Sequence, residues 1–450
     1  MSAIPLLSHA SPTAVVAYRH GAPVTAQRFL SDAGQLAEAL PAGAHVLNVC
    51  ADRYRFTVGL ASCLMTGRIS LLPSTHTPEV IAQLARFAPD AFCLTDDPRC
   101  DIALPKVRYP EPIAATRAGP WSVPEIPATQ TAAIVFTSGS TGSPLPYKKT
   151  WGRLARCVRD GAPRLGLLDG RQHAVIGTVP PQHMYGFEST VLLCLQSGNA
   201  FGAERPFYPA DVAAALAAVP RPRVLVTTPV HLRTLIASGV DMPELDLVVS
   251  ATAPLAADLA REVEHRFHTA LLEIYGSTET GQIATRRTAE AASWRLWPDV
   301  KLSVSKDQVF AHGGHVEQFT PMCDVLELVG DDEFLLHGRT ADLVNVAGKR
   351  SSFGYLNAQL NAIPGVVDGV FFLREESTGS TGVARLGAVV AAPTLTIAAL
   401  TEHLRQRIDP VFLPRPLIMV DRLPRNATGK LPQHEIESIA SRHLQTSGAS

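Results

Sequence analysis

The chain has 450 residues, 46% hydrophobic and 18% charged, with a formal net charge of -1 at pH 7. That length exceeds one ordinary core, so two or more domains are expected, and the composition fits a globular enzyme rather than a disordered or fibrous chain. Near-neutral charge gives no global signal for nucleic acid or for an anionic membrane surface.

The opening MSAIPLLSHASPTAVVAYRH lacks the basic region and apolar run of a secretory signal, so a cytoplasmic protein is expected. LGAVVAAPTLTIAAL, from Leu386, is broken by Pro393 and threonines and is too short for a membrane span, so none is predicted. Cys50, Cys63, Cys93, Cys100, Cys157, Cys194 and Cys323 show no C-x-x-C pairing, which points to free thiols rather than a zinc site or disulfide framework. The Pro-rich stretch 103–127 reads as a loop or linker.

From there the pattern alternates short β-branched runs with helical periodicity, which predicts an α/β layered fold. AAIVFT (132–137), HAVIGTV (173–179), RVLVTT (223–228), LDLVVS (245–250) and LLEIY (271–275) read as buried, parallel strands. Between them lie helices over 211–219 and 254–268, the second with Pro254 in its first turn. After about residue 290, KLSVSKDQVFAHG, DVLELVG and EFLLHG suggest a small antiparallel element, and 338–352 a polar connector. A compact α+β unit follows. The expected division is a large N-terminal domain of layered sheets and helices, 1–338, and a small C-terminal domain, 339–450.

FTSGSTGSPLPYKKTW (136–151) leaves the first of those strands. A Gly/Ser/Thr-rich turn after a buried strand exposes backbone N–H groups that can wrap around phosphate oxygens, and Thr137, Ser138, Ser140 and Thr141 add hydroxyls beside Gly139 and Gly142. No lysine follows the second glycine directly, which excludes the kinase- and GTPase-type loop on spacing. Taken alone, the segment fits a flexible surface turn equally well.

PPQHMYGFES (180–189) sets His183 in a turn close to Tyr185, Gly186 and Phe187, where a lone histidine is more often structural. VVSATAPL (248–255) enters a turn of small residues with room for a flat ring or for plain backbone packing. IYGSTETGQ (274–282) ends another strand in Gly276, Ser277 and Thr278, followed by Glu279, a carboxylate suited to Mg2+ or simply solvated. Asp324 offers a bidentate acceptor for sugar hydroxyls, and Arg339 a planar donor for ribose or phosphate. NATGK (426–430) sets Lys430 in a Gly turn where a lone lysine is ordinarily a solvated charge.

In this order TSGSTG, YGSTE, the pairing of Asp324 with Gly338-Arg339, and NATGK, spread over residues 130–435, resemble the adenylate-forming superfamily of acyl- and aryl-CoA synthetases, luciferases and peptide-synthetase adenylation domains. The resemblance implies ATP and Mg2+ as cofactors. It also implies a reaction that joins a carboxylate to ATP, releases pyrophosphate and passes the acyl group to a thiol, with the small domain rotating between the two halves. An anionic acid must approach a polyanionic nucleotide, so cations and oriented donors have to offset the repulsion.

By that resemblance Ser138, Gly139, Ser140, Thr141 and Gly142 cradle the β/γ-phosphates after Thr137, Thr278 touches the α-phosphate beside Gly276 and Ser277, and Glu279 holds the metal. Tyr275 stacks on adenine beside Ser250, Ala251, Thr252, Ala253 and Pro254, while Asp324 and Arg339 hold the ribose. Lys430 matches the family's mobile lysine, which bridges carboxylate and α-phosphate, and His183 its gate residue at the acyl pocket. Tyr185, Gly186, Phe187, Thr228, Ser250 and Gly276 complete a pocket for a flat ring.

HVLNVCADRYRFTVGLASCLMTGRISLLP (45–73), the short overall length and the displaced lysines of PYKKTW narrow the resemblance to the aryl-acid-activating ligases of aryl-polyene and xanthomonadin-type pigment pathways. These imply a hydroxybenzoate-like aromatic acid as substrate and an acyl carrier protein as partner. Coenzyme A, which presents the same thiol, is the alternative. Two positions depart from the family. The usual phosphate-loop lysine is Leu145, so Lys148 or Lys149 is expected to supply that charge, with Lys149 the candidate nucleotide contact. The usual acidic hinge is Ala341, with Asp342 next to it. Lys349 and Arg350 beyond the hinge fit either a phosphate contact to the acceptor or a solvated pair. Leu145 and Ala341 also raise a non-catalytic nucleotide-binding homologue, against which retention of Glu279, Asp324, Arg339 and Lys430 argues. A serine hydrolase is disfavoured by the lack of a G-x-S-x-G elbow in these turns.

Overall fold

The computed structural model describes residues 2–73, 75–110, 120–137, 145–306, 308–339, 343–346, 349–374, 385–425 and 431–447. The strands expected from the alternating pattern form as Thr131–Thr137, Ala174–Gly177, Arg223–Thr227, Leu247–Ser250 and Leu271–Ser277. They divide between two sheets. Thr131–Thr137 lies in a six-stranded sheet, parallel to Ile69–Leu72 on one side and antiparallel to Leu145–Thr150 on the other. The other four are consecutive neighbours in an eleven-stranded sheet and are mutually parallel, with Gly177 opposite Val226, Thr227 opposite Ser250, and Ser250 opposite Glu273. These central strands are buried throughout Ala174–Gly177 and Leu247–Ser250, as their unbroken apolar runs require of strands covered on both faces.

Four sequence expectations are corrected. The helix expected from Pro254 starts three residues later and spans Ala257–Phe267, because Thr252 takes a left-handed φ of 78° and the chain completes a turn first. DVLELVG and EFLLHG form Asp324–Leu328 and Glu333–Arg339, which extend the end of the eleven-stranded sheet, whereas Lys301–Ser305 and Gln308–Gly313 pair in a separate three-stranded sheet with Val316–Pro321. The connector 338–352 contains an antiparallel pair, Leu343–Val346 with Lys349–Ser352. The Pro-rich stretch carries the short strands Lys106–Arg108 and Glu125–Pro127 at its ends.

The C-terminal part has its own core. Asp368–Arg374 and Arg385–Ala391 pair antiparallel, Leu417–Met419 adds in parallel, and Leu356, Leu360, Leu400 and Leu404 from the helices Phe353–Asn361 and Ile397–Arg405 pack with the strand residue Phe371. The fold is thus a large α/β unit with a small α+β C-terminal unit. All seven cysteines are free, and among the described residues no helix is long and apolar enough to cross a membrane.

One buried side chain ties the large unit together. Arg53, at the start of the nearly wholly buried helix Arg53–Met65, is 0% exposed and donates to four carbonyls: Gly177 (2.8 Å) and Val179 (2.9 Å) after one strand, Gly202 (2.8 Å) and Glu204 (2.8 Å) after its neighbour. Burial lowers its pKa to about 10, which leaves it a cation at neutral pH. The guanidinium fork suits several convergent acceptors, and its loss strands them in a dry site. Arg53→Met is expected to destabilise the protein by at least about 3 kcal/mol, read as a drop in the urea midpoint; a shift of under about 0.5 kcal/mol would show that the four contacts carry no net stability.

Candidate active site

In a parallel sheet every strand delivers its carboxyl end to the same edge, and ligands bind where those ends converge. Here Ala174–Gly177, Arg223–Thr227, Leu247–Ser250 and Leu271–Ser277 are such neighbours. Their order brings the segments after Gly177, Thr227, Ser250 and Ser277 onto one edge, although about a hundred residues of chain separate the first from the last.

The turn after Leu271–Ser277 is self-closing. Ser277 N–H donates to Thr280 Oγ1 at 3.1 Å, and Thr280 N–H donates to Ser277 Oγ at 3.2 Å. Thr278 and Glu279 are left between them, half-buried. The Glu279 carboxylate accepts no hydrogen bond from another described residue. Gly276 is exposed, and a Cβ there would come within 2.2 Å of the Gly281 carbonyl, so only glycine fits the approach of these two backbone segments.

Tyr275 is buried against Trp294 (ring centroids 5.5 Å) and Phe334 (5.4 Å), which fixes its ring, and its hydroxyl donates to the Asp324 carboxylate. Asp324 opens its strand opposite Arg339, so the register sets these two sequence-distant residues side by side. Ser250 ends its strand fully buried, with an Oγ that has no partner among the described residues. Ala251 is buried, Thr252 and Ala253 are half-buried and Pro254 is exposed.

On the neighbouring segment, Tyr185 points its hydroxyl at two strand-end carbonyls, Thr227 and Val249, both at 3.1 Å. Burial pushes its phenol well above the ordinary range, so it remains a neutral donor. Gly186 is buried beside it and Thr228 caps the helix Pro229–Ser238. His183 stands at the N-terminal boundary of the short helix Met184–Gly186, without a side-chain capping bond, and lines a cavity of about 280 Å³ with Val49, Pro73, His76, Gln182 and Arg205. Phe187 does not line that cavity: it is 0% exposed in the main core, edge-on to Phe56 at 6.3 Å.

Lys149, the candidate nucleotide contact, has a protein partner. Strand alternation leaves Lys148 exposed and turns Lys149 inward, where it is 4% exposed and its Nζ donates to the Glu279 carbonyl at 3.0 Å. Burial lowers its pKa, opposed chiefly by Glu188. Glu188 is fully buried and pushed up to about 7 by desolvation, with Lys149 the main opposing charge. The sequence reading passed over Glu188; its signal was one carboxylate inside the otherwise apolar run MYGFESTVLLCL. It also missed His231, whose Nδ1 lies 2.9 Å from Thr178 Oγ1, itself 2.9 Å from Thr227 Oγ1.

Thr137 ends its strand, but Ser138, Gly139, Ser140, Thr141, Gly142 and Lys430 lie outside the described residues, as do the hinge positions Ala341 and Asp342. Of Arg339, only the strand position is described. What is described fits a nucleotide: an orphaned buried hydroxyl at Ser250, a fixed aromatic face at Tyr275, a sugar-type acceptor at Asp324, and the close backbone approach at Gly276. No cluster of three His, Cys, Asp or Glu suited to a metal occurs among the described residues. A single free carboxylate is the donor set for Mg2+ shared with substrate phosphates and water.

A family model for AMP-binding enzymes matches residues 8–309. The chain is 33% identical over 282 residues to a 4-coumarate–CoA ligase of Rhodobacter capsulatus, covering 62% of this chain and 69% of that one. It is 29% identical over 310 residues to a 4-coumarate–CoA ligase of Halorhodospira halophila, covering 67% and 75%. Among solved structures, the fold matches o-succinylbenzoate CoA synthetase from Bacillus subtilis in complex with its acyl-adenylate intermediate, with a TM-score of 0.81 at 16% identity over 97% of this chain and 99% of that one. ATP-bound MatB from Rhodopseudomonas palustris matches with a TM-score of 0.80 at 18% identity, over 95% and 96%. At such identities the structures speak for the fold, while the family match and the first relative speak for descent. The chain belongs to the AMP-binding enzyme family, the adenylate-forming superfamily anticipated from its motifs, and activates a carboxylic acid with ATP and Mg2+ as an acyl-adenylate.

Proposed function

We propose that the acid is an aromatic one of hydroxybenzoate type and that the acyl group passes to the phosphopantetheine thiol of an acyl carrier protein. The observation that carries the aromatic reading is the half-buried Tyr185 ring beside Gly186, pinned by its hydroxyl to the strand-end carbonyls of Thr227 and Val249, which offers a flat face on the edge where the parallel strands end. Relatives named for 4-coumarate, 4-chlorobenzoate and indoleacetate support an aromatic acid. The carrier-protein acceptor rests on the pigment-pathway resemblance of residues 45–73 and PYKKTW. Those same relatives are named CoA ligases, which favours coenzyme A as the second reading. Free cysteines support a reducing compartment, the cytoplasm.

In this reading Asp324 and Arg339 orient the ribose and Tyr275 the adenine, so that the α-phosphate lies at Thr278. Bound Mg2+ supplies positive charge that offsets the approach of two anions. Glu279 holds that ion, the segment 138–142 cradles the outer phosphates, and His183 positions the acid. Lys430, with a point charge on a flexible stem, brings carboxylate and α-phosphate together, from a C-terminal domain that begins near residue 339 and rotates between half-reactions.

Pyrophosphate exchange measured with a panel of benzoates, cinnamates and fatty acids is expected to respond most strongly to a hydroxybenzoate; exchange driven only by aliphatic acids would overturn the aromatic assignment. Acyl transfer should load a carrier protein at least about tenfold more efficiently than it forms acyl-CoA, by kcat/KM, and the reverse preference would establish the CoA reading. Lys430→Ala is expected to keep ATP affinity within about twofold while lowering adenylate formation by about 100-fold or more; unaltered turnover would remove Lys430 from the chemistry. Asp324→Asn should raise the KM for ATP by about tenfold, through a weakened ribose contact, with the KM for the acid unchanged. Equal changes in both constants would assign Asp324 to the architecture of the edge rather than to the nucleotide.

A further inference from the structure

A cluster of polar side chains lies buried behind the adenylation turn. Lys149 reaches it from the inward face of Leu145–Thr150, Glu188 from the π-helical turn Phe187–Leu192, Cys157 from the helix Trp151–Arg164, and His315 from the segment before Val316–Pro321. All four are buried: Lys149 reaches the Glu279 carbonyl, while Glu188, Cys157 and His315 surround one neighbouring point of the backbone, Gly281. A Cβ built there would come within 2.9 Å of Glu188 Oε1, 3.3 Å of Cys157 Sγ and 3.6 Å of His315 Nε2. Gly281 has a left-handed φ of 75°, so glycine is required by conformation as well as by space.

The partners in this cluster are asymmetric. Glu188 Oε1 accepts from Cys157 Sγ at 3.4 Å, and its carboxylate takes the backbone N–H of Gln282. Gln282 Nε2 in turn donates to Ser189 Oγ at 2.7 Å. His315 is held neutral by burial and by the neighbouring Lys149, Arg153 and Arg156, so it adds no competing cation. Glu188 is the charge that most favours the Lys149 ammonium, and the described hydrogen bond of Lys149 goes to the Glu279 carbonyl. The pair thus grips the strand pair 271–286 from both sides of Gly281, Lys149 at residue 279 and Glu188 at residue 282.

We infer that Lys149 is a positioning residue for the metal-bearing turn: its ammonium, balanced by Glu188, anchors the Glu279 carbonyl and thereby sets where the Glu279 carboxylate and Thr278 stand. This rests on the reading of 277–280 as the adenylation turn given above. Thr280 N–H, bonded to Ser277 Oγ, holds one side of the peptide after Glu279 from within the turn, and the Lys149 bond to the Glu279 carbonyl holds its other side from outside the turn. The lysine absent at Leu145 is in this way not replaced by a second phosphate contact. Lys149, farther along the same strand, works from behind the site.

The test uses the full chain and separates positioning from folding. Binding of a non-hydrolysable ATP analogue is measured by calorimetry with and without Mg2+, alongside the thermal midpoint. Wild type is expected to bind more tightly with Mg2+. In Lys149→Met that tightening should fall by about tenfold, with metal-free binding within about twofold. Lys149→Met strands the Glu188 carboxylate, so K149M/E188Q is included: it is expected to recover the thermal midpoint without recovering the metal effect. Lys149→Arg, which keeps a cationic donor for the carbonyl, should restore part of the metal effect. A metal effect equal to wild type in Lys149→Met, or one that returns with the midpoint in K149M/E188Q, would reduce Lys149 to charge balance and overturn the inference. Wild type that shows no metal-dependent binding at all would instead overturn the assignment of the turn itself, and with it this role for Lys149.

Discussion

Everything at the site depends on parallel pairing. Antiparallel strands alternate the ends they present, so residues leaving four consecutive strands would be shared between opposite edges. Here Ala174–Gly177, Arg223–Thr227, Leu247–Ser250 and Leu271–Ser277 run the same way, and the polar residues that follow each strand collect on one edge without any contact between their side chains being needed to gather them. The antiparallel strands added beyond Leu271–Ser277 serve another purpose. They return the chain beside Tyr275 and set Asp324, opposite Arg339, within reach of the Tyr275 hydroxyl.

The buried charges follow a consistent rule: each is placed where it joins elements that packing alone leaves free to slide. Arg53 gathers carbonyls from two strand ends, and Glu273 is held by Arg286 and Thr288 across the Leu271–Ser277 and Gly281–Arg286 pair. Lys149 and Glu188 act on the next turn of that same pair. Burying ions costs solvation, and apolar side chains of similar volume would commonly serve stability as well. What directional donors add is a fixed registry between backbone segments, which matters where a turn has to present a carboxylate within a fraction of an ångström.

Much of this was legible in the sequence, for a physical reason. Strands buried on both faces need unbroken apolar runs, and the turns that bind phosphates need Gly, Ser and Thr, so AAIVFT, LDLVVS and IYGSTETGQ announce both element and chemistry. Partnership was legible only where a motif carried it, as with Asp324 and Arg339. The direction of Lys149 was not, because a two-residue period places neighbouring lysines on opposite faces without saying which face is covered. Nor was the left-handed Thr252, which delayed a helix whose periodicity was correctly read: local strain in one residue leaves no compositional trace.

The Lys149 to Glu279 hydrogen bond joins the six-stranded sheet to the eleven-stranded one across 130 positions of chain. Contacts of such separation carry a large loop-closure cost and are favoured only once both of the elements they join are in place. The Lys149 anchor on the turn can therefore form only when the two sheets are docked, whereas the Ser277–Thr280 closure of the turn is local. Nucleotide affinity in this protein is then a reporter of sheet docking: a chain with full secondary structure but undocked sheets would read as native by far-ultraviolet circular dichroism and as inactive by ligand binding.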